Sequence, residues 1–279
     1  MFRCHAQPFI CKNRLILLKK FNPHVPIFGL FGGEEKKYPE FKNKLKPYLE
    51  NIYCIREKTG FWKRLNGDLA VRLWYRDIGK TLSFDMLHVV EWDLLLFDSL
   101  DKIYSDIPQD CIGLTALTAL KNVENKWALT SKEPYKSQWQ TLFKFAQDKS
   151  GYRQEPFASQ GPGPCLPRRF LEKYSSTEIP DFSNDELRLP LFSQIFGFKL
   201  YDTGLQKKWF DKEEEKFFNC NKVDIDTSTI KKELSLSSGR RAFHPFRKLI
   251  ALNCGDQMIN ILIAATESAK LLVRKIFRS

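Results

Sequence analysis

The chain has 279 residues, of which 43% are hydrophobic and 28% are charged, a balance that excludes an intrinsically disordered protein. Its 45 Lys and Arg against 33 Asp and Glu give a formal net charge of +12, which favours anionic partners over cationic ones. No run approaches the roughly 20 apolar residues that a membrane-spanning helix needs, and the seven cysteines lack zinc-site spacing.

The first half of the sequence alternates short apolar runs with helical patterns. Strands are predicted at 1–9 (with an exit turn), 24–33, 51–55, 85–90 and 111–117. Helices are predicted over 10–20, over 65–79 and from Ser99, and the charged run 34–50 is a surface helix or loop. This alternation predicts an α/β fold with a mostly parallel central sheet flanked by helices.

The second half has a different character. A helix is predicted over 131–150, a Gly/Pro turn running into a helix over 160–174, and a capped helix followed by a strand over 184–202. Residues 203–240 are polar and irregular, and 240–249 form a basic loop. The odd cysteine count, without a Cys-x-x-Cys pair, and the charged residues in the short apolar start predict a cytoplasmic protein without a signal peptide.

Two carboxylates interrupt the most apolar stretch of the chain, VVEWDLLLFDSLDKIY (89–104). Glu91 and Asp93 follow an apolar strand, and residues i and i+2 of a strand face the same side. Ligands bind beyond the carboxyl ends of parallel strands, where such carboxylates can hold a hard divalent cation. The alternative is a structural network of ion pairs with nearby Arg or Lys.

The run HVVEWDLLLFDSLDKIY (88–104) resembles the metal-binding signature of GT-A fold glycosyltransferases: an apolar strand, Asp-x-Asp, apolar residues and a helix. The resemblance covers the strand–helix alternation of the first half and implies a GT-A-like fold. It also implies sugar transfer from a nucleotide-diphosphate donor with Mn²⁺ or Mg²⁺ as cofactor. Asp93 would bind the metal directly. Because Glu replaces the first Asp, Glu91 would contact metal-bound water or the donor ribose, with direct ligation left open.

A second motif of this resemblance is AFHPFRK (242–248). His244 would complete the metal shell, and Arg247 and Lys248 would hold the diphosphate of the donor. Imidazole suits Mn²⁺ better than Mg²⁺. The alternative is that His244 is a loop histidine without a ligand role.

Two further pairs follow from the same resemblance. Asp68 and Arg72, on the helix before the metal strand, would contact the donor nucleotide, although Asp68 could be a helix N-cap and Arg72 a surface residue. Asp185 and Glu186 would supply the catalytic carboxylate on the acceptor side, as base or anchor, with a helix cap as the alternative.

We expect one catalytic domain over 1–257, with its donor half at about 1–120 and its acceptor half at about 121–257. An amphipathic helix over 258–279 would pack on the core or lie on an anionic membrane surface. The acceptor, whether glycan, lipid or protein, is open, and no motif indicates nucleic acid. The alternatives are a nucleotidyltransferase, against which the glycine-free start counts, and a non-catalytic nucleotide- or membrane-binding relative of the fold.

Overall fold

A computed structural model describes residues 1–220 and 223–250 of the chain. Its strands are β1 Phe2–Cys4, β2 Phe28–Phe31, β3 Asn51–Cys54, β4 Met86–His88, β5 Val90–Glu91, β6 Leu95–Leu96, β7 Ile112–Ala119, β8 Phe157–Pro167, β9 Leu200–Asp202 and β10 Ala242–Phe243. Its α-helices are α1 Pro8–Phe21, α2 Tyr38–Leu45, α3 Gly60–Leu65, α4 Gly67–Asp77, α5 Leu100–Ile103, α6 Ala128–Ser131, α7 Tyr135–Ser150, α8 Arg168–Ser176, α9 Asp185–Ile195 and α10 Thr227–Ser235. Single 3-10 turns lie at Glu35–Lys37, Lys46–Tyr48, Gly79–Thr81, Leu120–Asn122 and Glu214–Lys216.

The first sheet is parallel and has the strand order β3-β2-β1-β5. Neighbouring residues of its strands pack on opposite sides: Phe31 joins the apolar cluster that contains Phe41 of α2, and Leu30 joins the cluster that contains Trp74 of α4. A strand covered on both faces must be apolar throughout, which is why the sequence shows continuous apolar runs here. The predicted α/β fold with a parallel central sheet flanked by helices is confirmed.

The second sheet is mixed and has the order β4-β8-β7-β9, with β8 antiparallel to both of its neighbours. The strand predicted at 85–90 is divided between the two sheets, since β4 pairs with β8 and β5 pairs with β1. The hydrogen bonds change partner at one step: Val89 donates to the carbonyl of Pro164, and Val90 donates to that of Met1. The two sheets therefore meet immediately before Glu91.

The predicted Gly/Pro turn at residue 160 is wrong, because these residues belong to the 11-residue strand β8. Prolines fit there because the pairing with β7 is irregular, with register shifts on either side of Thr115. Within this irregular stretch, the Thr115 hydroxyl donates to the carbonyl of Pro162 at 2.6 Å. The helix predicted to follow is present as α8.

The last described residues pair with a strand from the first half of the chain. Strand β10 pairs antiparallel with β6, with Ala242 opposite Leu96 and Phe243 opposite Leu95. The predicted basic loop thus contains a strand, and the region predicted as irregular contains α10. The predicted helix at 258–279 lies outside the described residues. Within 1–220 and 223–250, every helix is too short or too polar to span a lipid bilayer.

Candidate functional site

The carboxyl ends of the parallel strands open onto a cavity of about 1040 Å³. Residues at or just beyond these ends line its wall: Cys4 and His5 after β1, Gly32 and Gly33 after β2, Ile55 after β3, and Glu91 at the end of β5. Open parallel sheets bind ligands at this edge. The cavity is large enough for a ligand of nucleotide-sugar size.

Three candidate metal ligands meet in this wall. Glu91, Asp93 and His244 each offer one ligand atom, and these atoms lie within 4.8 Å of one another. Glu91 ends β5, and Asp93 follows in a turn in which the Leu94 N–H donates to the Glu91 carbonyl at 3.0 Å. Asp93 is therefore in a turn rather than on the strand, but it lines the same cavity as Glu91.

Pairing of β6 with β10 brings His244 to Asp93. His244 comes directly after β10, and Asp93 lies two residues before β6. The N–H of Phe246 also donates to the backbone carbonyl of Asp93 at 2.8 Å. The sequence predicted both side chains as ligands, and the structure places them on adjoining segments.

A backbone carbonyl orients the His244 ring. Nδ1 lies 2.7 Å from the carbonyl of Asn219, and because a carbonyl only accepts, Nδ1 carries the hydrogen. Nε2 is therefore the ring nitrogen that faces Asp93, and it lies 3.5 Å from Oδ1 of that side chain. Metal-binding histidines in proteins are oriented by the same kind of contact. The two carboxylates and the imidazole could hold a divalent metal ion between them.

Asp93 is buried and paired. Burial raises the pKa of its carboxyl, but the contact with His244 and the charge of Arg247 outweigh this and hold the pKa below its ordinary value. Nε of Arg247 is 3.1 Å from Oδ2 of Asp93, and its Nη1 is 3.1 Å from Oδ1 of Asp224. Asp93 is thus ionised at neutral pH, as a metal ligand must be.

Arg3 is a residue of this site that the sequence-based reasoning missed. Its Nη1 is 2.9 Å from Oε1 of Glu91. Burial lowers the pKa of the guanidinium, but the charges of Glu91 and Asp185 more than offset this, so the pKa is raised. A charged residue within a three-residue buried strand was the available signal, since such a residue needs a partner.

The predicted acid pair lines the same cavity, at the start of α9. Asp185 Oδ2 accepts from the Gly67 N–H at 3.1 Å. Glu186 Oε1 accepts from the Gly161 N–H at 2.8 Å, and its Oε2 accepts from Asn184 Nδ2 at 3.2 Å.

Burial and neighbouring carboxylates change how readily this pair ionises. Burial, reinforced by the charge of Asp68, raises the pKa of Asp185 to about 7, although Arg3 and Arg188 oppose the shift. Burial and the charge of Asp185 raise the pKa of Glu186 to about 8, against the hydrogen bonds from Gly161 and Asn184. Two carboxyls that titrate near neutrality in a cavity wall have the properties of general acid–base groups.

Three of the predicted donor contacts are not in the cavity wall of the described structure: Asp68, Arg72 and Lys248. Asp68 is buried and bonds to Nε and Nη2 of Arg188 and to the Tyr174 hydroxyl. Arg72 donates to the backbone carbonyls of Tyr174 and Thr177, and Lys248 is exposed. The first two side chains are therefore used in internal contacts.

No protein-family model and no curated protein sequence matches this chain. Solved structures, in contrast, match large parts of this chain. The galactosyltransferase LgtC, in complex with donor and acceptor sugar analogues, matches 77% of this chain and 80% of its own, with 12% identity and a TM-score of 0.40. The bifunctional glycosyltransferase WbbM matches 93% of this chain and 46% of its own, with 9% identity and a TM-score of 0.40. Mouse xyloside xylosyltransferase 1 matches 72% and 83%, with 10% identity and a TM-score of 0.35. All three of these solved structures are glycosyltransferases.

Proposed function

We propose that this chain transfers a sugar from a nucleotide-diphosphate donor to an acceptor, with Mn²⁺ or Mg²⁺ held by Glu91, Asp93 and His244. One observation carries the proposal: these three ligands converge within 4.8 Å in the wall of a cavity that lies beyond the parallel strands. When bound, the cation neutralises the negative charge that develops on the departing nucleoside diphosphate.

The residues around the cation position have separate tasks in this proposal. Asp93 supplies an ionised carboxylate, and Arg247 keeps it ionised and adds a positive charge to the same wall. Asn219 holds the His244 ring so that Nε2 faces Asp93. The orientation of the ligands is thus provided by the protein before a cation binds, which lowers the entropic cost of binding.

On the acceptor side, we assign the proton-accepting role to Asp185. A base works best when its pKa lies near the working pH, and the pKa of Asp185 is raised to about 7. Glu186, with a pKa raised to about 8, is mostly protonated at pH 7 and would donate a hydrogen bond to a substrate oxygen. A sugar hydroxyl is the kind of acceptor group that such a pair would bind and deprotonate.

The donor is tested by thermal unfolding of the purified protein with each nucleoside diphosphate and nucleotide-sugar, with Mn²⁺ and with a chelator. A ligand at 100 times its Kd stabilises the native state by about 2.7 kcal/mol, which is an easily measured shift in Tm. We expect stabilisation by one nucleotide only when Mn²⁺ is present.

Nucleoside triphosphates added to this panel, followed by a turnover assay with the ligand that stabilises the protein, separate the alternatives. A nucleotidyltransferase would respond to a nucleoside triphosphate and release pyrophosphate from it. A non-catalytic relative would bind the donor without turnover when acceptors are added. A folded sample that responds to no nucleotide in the presence of Mn²⁺ would refute the proposal.

A further inference from the structure

Arg3 lies on β1 between the candidate metal site and the acid pair. Its Nη1 is 2.9 Å from Oε1 of Glu91 and 3.8 Å from Oδ2 of Asp185. The side chain is one-fifth exposed and lines the cavity. One guanidinium nitrogen therefore faces a carboxylate from each half of the site.

The start of α4 shapes the place where this guanidinium lies. A Cβ added at Gly67 would be 2.3 Å from Nη1 of Arg3 and 2.4 Å from its Cζ, so the guanidinium packs directly on backbone that has no side chain. The N-terminus of a helix carries a partial positive charge, which repels a cation. The carboxylates of Glu91 and Asp185 must therefore hold Arg3 in this position.

Glu91 is shared by two cations in the proposed function. Arg3 contacts its Oε1 in the metal-free protein, and the same carboxylate belongs to the candidate metal site. A guanidinium and a divalent cation that share one carboxylate repel each other, so each weakens the binding of the other. Asp185 lies close enough to receive Arg3 after a small rotation of the side chain.

We propose that Arg3 is a positioning residue that holds Glu91 in the metal-free protein and moves to Asp185 when a divalent cation binds Glu91. The proposal rests on the proposed function, because it requires the cation site at Glu91, Asp93 and His244. When the cation binds Glu91, the positive charge of Arg3 moves to Asp185. The metal site is therefore occupied before Asp185 gains the guanidinium as its partner.

A purely structural role makes the opposite prediction. If Arg3 only holds Glu91 in the geometry that binds the cation, then its removal disorders Glu91 and leaves cation binding weaker or unchanged. If Arg3 competes for Glu91, its removal strengthens cation binding. The direction of the change in Kd for Mn²⁺ distinguishes the two roles.

The experiment measures Mn²⁺ binding to the full chain without any nucleotide, by the electron paramagnetic resonance signal of free Mn²⁺. We expect Arg3→Gln to bind Mn²⁺ at least about tenfold more tightly than the wild type, since it removes the guanidinium that competes with the cation for the Glu91 carboxylate. Glu91→Gln should bind more weakly. In that background, adding Arg3→Gln should change the Kd by about threefold or less, because the shared carboxylate is gone.

Gly67→Ala provides a second test that leaves every charge in place. The new methyl group meets the far end of a flexible side chain, so Arg3 gives way while the backbone keeps its course. We expect tighter Mn²⁺ binding than in the wild type, by less than in Arg3→Gln. Circular dichroism and the Tm of each metal-free variant confirm that it is folded.

Three results would overturn the proposal. Wild-type protein that does not bind Mn²⁺ would remove the proposed metal site and the role of Arg3 together. Wild-type binding with unchanged or weaker binding in folded Arg3→Gln and Gly67→Ala would reject Arg3 alone and leave the metal site standing. An equal gain from Arg3→Gln with and without Glu91 would mean general electrostatics rather than competition for one carboxylate.

Discussion

Replacement of Asp93 by Asn tests the centre of the proposed site, because it removes the charge and keeps the shape of the side chain. Asp93 is 6% exposed, and its carboxylate contacts Arg247 at 3.1 Å and His244 at 3.5 Å. The backbone hydrogen bond from Phe246 to its carbonyl does not depend on the side chain. The variant should therefore retain the local fold.

The expected cost in stability is modest. Losing one partner of a fully buried ion pair costs about 3–5 kcal/mol, but the Arg247 side chain is 32% exposed and keeps Asp224 as a second partner. We therefore expect Asp93→Asn to lower the free energy of unfolding by about 1–2 kcal/mol in the absence of metal.

The expected cost in function is larger. Loss of a group that merely orients a metal ligand weakens metal binding by about 10–100-fold, so the loss of a ligand should exceed about 100-fold. If the cation contributes several kcal/mol to charge stabilisation in the transition state, the transfer rate should fall by about 1000-fold or more.

The assay combines free Mn²⁺ by electron paramagnetic resonance with initial rates of transfer from the donor that the thermal panel selects. Asp224→Asn is the matched control: it makes the same charge change on the other partner of Arg247, outside the three-ligand set. We expect the control to keep its Mn²⁺ affinity within about threefold. Metal-dependent transfer at the wild-type rate in folded Asp93→Asn would refute the proposed site.

Three further predictions concern the acid pair and the predicted donor contacts. With the pKa of Asp185 raised to about 7 and that of Glu186 to about 8, the transfer rate should rise with pH about tenfold per unit below 7 and fall above about 8, where Glu186 loses the proton that it donates to the substrate. Asp185→Asn should lose the rising part of this profile, and the same rise in the variant would exclude Asp185 as the base. The pKa of Glu186 is raised to about 8, so the folded state binds that proton more tightly than the unfolded state, and the contribution to stability is present below about 4.5 and lost as the pH rises through 8. Glu186→Gln should consequently be more stable than the wild type by roughly 1–3 kcal/mol at pH 8.5 in urea unfolding, with a smaller difference at pH 5, and equal differences at both values would contradict the burial of an ionisable group. Asp68→Asn should lower stability by about 3 kcal/mol because it leaves Arg188 buried without its charge partner, and the variant should keep the nucleotide Kd of the wild type at a temperature where it is folded.

The parallel sheet and the placement of two of the three candidate metal ligands were predictable from the sequence. Strands buried on both faces require continuous apolar runs, and the carboxyl ends of parallel strands meet at one edge, so Glu91 and Asp93 could be placed at a cleft. The pairing of β6 with β10 was not predictable, since two-residue strands leave no periodic pattern. His244 was named from a motif resemblance, and only the structure places it at Asp93.

Other parts of the site depend on contacts between residues that are far apart in the sequence, which a local sequence pattern does not indicate. The ion pair of Arg3 with Glu91 depends on the side-by-side register of β1 and β5. A helix start near Asp68 was predicted, and α4 begins at Gly67, but the N-cap residue is Asn66 rather than Asp68. The carboxylate of Asp68 pairs instead with Arg188, on a helix far along the chain. Prolines in the run at 160 suggested a turn because the irregular register of β7 and β8 that accommodates them cannot be read from either strand alone.

The short ribbon of β6 and β10 has a consequence for folding thermodynamics. It places the candidate ligand His244, from the last described segment, beside Glu91 and Asp93 from the first half of the chain, so an ion bound by all three would close a very long covalent loop. The entropy of closing a loop grows only slowly with its length, and most of that closure is already achieved by the folded domain. Cation binding is then coupled to the docking of residues 242–247. The free energy of cation binding adds to the free energy that is needed to detach this segment from the sheet. Local opening of the ribbon would release the ion, so the lifetime of the bound cation would report how often the ribbon of β6 and β10 opens.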